Sequence, residues 1–141
     1  MIAIGCWSAH YRASLVGVRV LRRRLRRLLA KLRQEPYSLP ISSEQQERLL
    51  LLQTELMTNC VKHASPKASK LSFRCWQIGS HWWLTLQDDG GYFDPWGLPS
   101  PIKNIDRFES GGYGIGLLHH LSFELKVRRH PQINGYLFNL Q

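Results

Sequence analysis

Between Leu15 and Arg33 apolar residues return at Val18, Leu21, Leu25, Leu28 and Leu32, in alternating steps of three and four. That recurrence predicts a helix with one buried seam. A second helix is predicted from about Glu44 to His63, with Leu49, Leu52 and Leu56 as its stripe and Leu50 and Leu51 widening it. Ser43, with Gln46 three residues on, offers its capping box, and the two prolines of "QEPYSLPIS" separate the helices. Elsewhere the period falls to two. Residues 3 to 13 suit an opening strand, and "KLSFRCWQI" and "HWWLTLQD" an antiparallel hairpin turning around Gly79 and Ser80. Alternation sends Trp82 and Trp83 to opposite faces, one to the core and the other toward an interface. From Gly90 to Gly112 the chain is rich in Gly, Pro and polar residues, as a lid or binding loop would be. "GIGLLHHLSF" then reads as a glycine-led helix, and "ELKVRRH" and "GYLFNLQ" as a closing strand pair around "PQING". This order suits an α+β fold, a two-layer α/β sandwich with helices on one face of a mixed, mostly antiparallel sheet.

At 141 residues, 43% of them hydrophobic, the chain has the size of a single domain spanning residues 1–141, and 21% charged residues with no repeat argue against global disorder. No run of about eighteen apolar residues occurs and the first residues lack the layout of a secretory signal, so a cytoplasmic protein without a membrane span is expected. Cys6, Cys60 and Cys75 are odd in number and lack C-x-x-C spacing, which points to reduced thiols rather than a disulfide framework or a zinc site. The net charge of +9 is uneven: nine of nineteen Lys and Arg precede Gln34, and the first acidic residue is Glu35. Arg19, Arg22, Arg23, Arg24, Arg26, Arg27, Lys31 and Arg33 decorate the first helix. A solvated or protein-facing surface is the first expectation for them, with nucleic acid and an acidic membrane surface as alternatives.

Candidate chemistry sits in three places. Glu55, Asn59 and His63 fall four apart and so share one side of the second helix, with Lys62 beside them. A carboxylate can orient a nucleophile, an amide oxygen suits Mg²⁺, and an ammonium can meet phosphate oxygens. Taken alone, the row would face solvent. Asp88 and Asp89 end a strand and are followed by Gly90 and Gly91, so a carboxylate there could accept from a purine amine. Taken alone, this is an Asp-Gly turn. Gly112, Gly114 and Gly116 lead into a helix whose free N–H groups can face a polyphosphate. No G-x-x-x-x-G-K-[ST] occurs, and the glycine run does not open a βαβ unit, which sets aside Walker and Rossmann sites. His119 and His120, adjacent on a helix, point apart and are not expected to share a metal.

In this order and spacing, the three elements resemble the N, G1 and G2 boxes of the GHKL superfamily, the Bergerat ATP-binding fold of gyrase, histidine kinases and MutL. The resemblance implies an N box at 55–64, a G1 box at 88–93, an ATP lid at about 92–111 and a G2 box at 112–117. It further implies that Glu55 is the catalytic base or nucleophile positioner, that Asn59 holds Mg²⁺, and that Lys62 and His63 lie toward the phosphates. Asp88 would take the adenine amine beside Gly90 and Tyr92, the latter standing where many relatives have glycine. Gly112, Gly114, Ile115, Gly116 and Leu117 would line the phosphates. "DDGGYFDP" and "GGYGIGLLHHL" look most like the anti-sigma-factor serine/threonine kinases. That likeness implies a homodimer that binds ATP with Mg²⁺, holds a sigma factor and phosphorylates an antagonist, the anti-anti-sigma protein. The alternatives are a non-catalytic ATP-binding adaptor whose basic helix holds an acidic partner or nucleic acid, and a detached ATP-binding module of a histidine kinase.

Overall fold

The computed structural model describes residues 3–91, 124–130 and 133–140. The opening strand β1 (Ala3–Arg12) passes into helix α1 (Leu15–Leu32), whose N-cap Ser14 accepts from the Gly17 N–H at 2.9 Å. Its buried face is Val18, Leu21, Leu25, Leu29 and Leu32. Leu28, the expected seam residue, is half-buried, because the stripe steps four from Leu25 to Leu29 and then three to Leu32.

Helix α2 (Ser43–His63) is capped by Ser42 rather than Ser43: the Ser42 hydroxyl accepts from the Gln45 N–H, and the Gln45 side chain accepts from the Ser42 N–H. The physical reason for the one-residue difference is Arg33. From the end of α1 its guanidinium donates to the Ile41 carbonyl, the Gln46 amide oxygen and the Ser43 hydroxyl at 2.9–3.2 Å, and so engages Ser43 elsewhere. Leu49, Leu50, Leu52, Leu56, Met57 and Cys60 enter the core, whereas Leu51 is 44% exposed.

Strands β2 (Lys70–Ile78) and β3 (His81–Asp88) form the hairpin, with Gly79 at φ +59° in its turn, where the left-handed backbone favours glycine. β4 (Glu124–His130) and β5 (Ile133–Asn139) form a second. β5 begins earlier than expected, since Ile133, Asn134 and Gly135 belong to it. Sheet order is β1-β2-β3-β5-β4, and all these pairings are antiparallel, where the sequence allowed a mixed sheet.

α1 and α2 lie on one face of this sheet, and the core fills the layer between. In β3 the inward row is Trp82, Leu84, Leu86 and Asp88, the period-two set. Trp82 is buried and stacks on Trp7 at 5.9 Å; Trp83 is half-buried on the other face, in register with Trp76. The three cysteines carry no disulfide, Cys60 and Cys75 being buried and Cys6 exposed. No helix among the described residues is long and apolar enough to cross a membrane.

Candidate functional site

Because Asp88 is the last residue of the inward row of β3, strand alternation delivers its carboxylate to the helix side of the sheet, at the edge of the core. It is 8% exposed, and a carboxylate so buried needs donors around it. Oδ1 accepts from the Gly90 N–H and from Asn134 Nδ2, each at 2.9 Å. The Cys60 thiol, on α2, also hydrogen-bonds the carboxylate. Burial, followed by the charge of Asp88 and this bond, pushes the thiol far above its ordinary value, so it remains a protonated donor.

Asn134 was not singled out from sequence. "ING" reads as a turn, yet antiparallel register sets Asn134 directly opposite Asp88. Its amide donates to Asp88, to the Gly90 carbonyl at 3.0 Å and to the Gly91 carbonyl at 3.4 Å, tying the strand end to the loop that follows. The signal that could have found it is the register itself, once β5 is extended back to Ile133. Asn134→Ala is expected to cost about 1–2 kcal/mol of stability, read by urea unfolding.

The expected N-box residues lie along the second half of α2. Asn59 is buried at 4% exposure, Glu55 is half-buried, and Lys62 and His63 are exposed. Burial raises the Glu55 carboxyl above its ordinary value, while Lys62 pulls it the other way. A half-buried carboxylate with a raised proton affinity is suited to accept a proton.

The two boxes touch. Besides the bond from Cys60 to Asp88, the Gly91 N–H donates to the Pro66 carbonyl at 2.7 Å, and an added Cβ at Gly90 would stand 2.9 Å from the Ala64 Cβ. Asp89 stitches the same corner from outside, accepting from the Ser69 and Lys70 N–H groups at 2.8 Å and from the Ser69 hydroxyl. Burial alone would raise the Asp89 carboxyl, but these donors outweigh it and set it below an ordinary aspartate. A depressed carboxyl contributes stability that is present above the unfolded value and lost as pH falls through the folded one. The melting-temperature advantage of wild type over Asp89→Ala should therefore hold at neutral pH and shrink below about pH 4.

Tyr92, the lid, Gly112, Gly114, Ile115, Gly116 and Leu117, together with His119 and His120, lie outside the described residues. Among the described residues no cluster of three His, Cys, Asp or Glu could hold a metal ion.

Residues 15–135 match the histidine kinase-like ATPase domain. The chain belongs to that family. No curated protein matches it. Solved structures similar to this ATPase domain include the blue-light activated histidine kinase of Erythrobacter litoralis, 26% identical with a TM-score of 0.48, covering 71% of this chain and 31% of that one. Another is the histidine kinase domain of that protein, 27% identical with a TM-score of 0.44, covering 69% of this chain and 44% of that one. The ATPase domain therefore spans less than half the length of either.

The residues in place fit a magnesium nucleotide. Asp88 is acceptor-only, as a purine amine requires; Asn59 offers a hard neutral oxygen from a buried position; and Lys62 is an exposed cation one turn further on.

Proposed function

We propose that the chain is a Mg·ATP-dependent serine/threonine kinase of the anti-sigma-factor type, which binds a sigma factor and phosphorylates the antagonist that would release it. The observation that carries the reading is the direct packing of the G1 corner on the end of the N-box helix, with Gly90 against Ala64 and the Gly91 N–H bonded to the Pro66 carbonyl at 2.7 Å. Bound MgATP would supply the transferable phosphoryl group and the charge that neutralises it. The chain's own residues bind and position. Asp88 fixes the base, Asn59 is the candidate metal ligand, Lys62 approaches phosphate oxygens, and Glu55 orients the acceptor hydroxyl and takes its proton. A homodimer accords with the same resemblance.

The family membership supports a detached histidine kinase module equally, and a non-catalytic adaptor is the third reading. Incubation with labelled ATP and candidate acceptors separates them. Acid-stable label on serine or threonine supports the proposal, acid-labile label on histidine supports the module, and ATP binding without transfer supports the adaptor. Glu55→Ala is expected to slow transfer about 100-fold or more while nucleotide affinity changes less than about threefold.

A further inference from the structure

α1 uses its apolar stripe entirely in the core, which leaves an outer surface of a different kind. Arg19, Arg23, Arg27 and Lys31 recur every four residues and are all exposed, with Arg24 and Arg26 alongside. At 1.5 Å per residue the four cations climb about 6 Å per step, about 18 Å along the axis in all, in a ridge that winds about 120° around the helix. α1 contains no acidic residue. Among the described residues the cationic helix meets one carboxylate, Glu47 on Arg26 at 3.2 Å, and Arg33 is consumed by the α1–α2 connection. The remaining row has no counter-charge built into the described fold.

We infer that this row is a docking surface for the phosphodiester backbone of a nucleic-acid duplex, bound by charge and without reading of bases. Three observations choose that occupant. First, the cations are nearly all arginine, whose planar fork pairs two phosphate oxygens at once. Second, no large hydrophobic side chain is exposed between Arg19 and Lys31; exposed Leu15 and Val16 lie only in the first turn. A helix lying in a bilayer needs an apolar face to sink, and that of α1 is already buried. A protein partner is held by apolar anchors at the centre of its interface, and the row offers none. Third, α1 has no aromatic residue on which unpaired bases could stack, which favours a duplex over a single strand. The overall charge of +9 adds long-range attraction of the same sign.

The test is fluorescence anisotropy of the full chain on a labelled 20-base-pair duplex from 50 to 200 mM salt. Four phosphate contacts predict a log–log slope of about −3 to −4, which is a loss of about 100-fold across that range. The variant Arg19→Gln/Arg23→Gln/Arg27→Gln/Lys31→Gln should remove most of that slope and lower affinity at 50 mM salt about 30-fold or more. A variant with the same loss of charge elsewhere, Arg12→Gln/Lys67→Gln/Lys70→Gln/Arg74→Gln, should change affinity less than about threefold. Both should melt within a few degrees of wild type, all eight positions being exposed. Asp88→Asn should bind the duplex normally, so this inference stands or falls apart from nucleotide binding. No duplex binding at 50 mM salt would overturn it, as would equal losses in the two quadruple variants. So would tighter binding to polyglutamate or to phosphatidylserine vesicles at the same salt.

Discussion

Replacing Asp88 by asparagine is expected to lower ATP affinity about 100-fold or more while leaving the fold intact. The carboxylate is nearly the same shape as the amide, and the Gly90 N–H and Asn134 amide can still donate to the retained oxygen. What changes is the other atom: in the proposed role, an acceptor becomes an NH₂ group where the exocyclic amine of the base would lie. One charge-assisted hydrogen bond is lost, worth about 1.5–3 kcal/mol, and two donors are left opposed. Titration calorimetry with MgATP reads the affinity and thermal melting the fold. Affinity within about threefold of wild type would remove Asp88 from base recognition.

The second large effect is expected at Gly91. An added Cβ there would lie 2.5 Å from the Pro66 nitrogen and closer still to the Ser65 carbonyl, and both are backbone atoms that no side-chain rotation can clear. Gly91→Ala must therefore part the G1 corner from the loop after α2, breaking the bond from the Gly91 N–H to the Pro66 carbonyl. A cost of about 2–4 kcal/mol is expected, a fall in melting temperature of about 5–15 °C, together with loss of nucleotide affinity. Full stability with weakened binding would mean that the corner can reshape. A calorimetric scan beside the MgATP titration distinguishes the two.

Much of this architecture was legible because its periodicities are strong. The 3.6-residue stripe of α1, the alternation of β3 and the turn at Gly79 each follow from local physics, and together they fix which way Asp88 faces. Misplacements arose where local signals were degenerate and distant contacts chose between them. "SSEQQ" holds two overlapping capping boxes, and Arg33 from the previous helix decides which serine is available. "RLLAKL" fits a seam through Leu28 or Leu29, and packing takes Leu29. Asn134 stayed hidden because Asn-Gly is a strong turn signal, whereas its role comes from pairing with a strand about 46 residues away in sequence. The thiol of Cys60 was likewise invisible as a partner of Asp88, since nothing local links a helical cysteine to a strand end. Asp88, by contrast, could be proposed from its position alone.

The row Trp82, Leu84, Leu86, Asp88 has one more implication. A strand that paired one place out of step would turn its largest aromatic outward and carry the carboxylate to the far side of the sheet in the same move. In the role proposed for Asp88, misassembly and loss of recognition would be a single event, so that a grip on the nucleotide would certify the strand alignment.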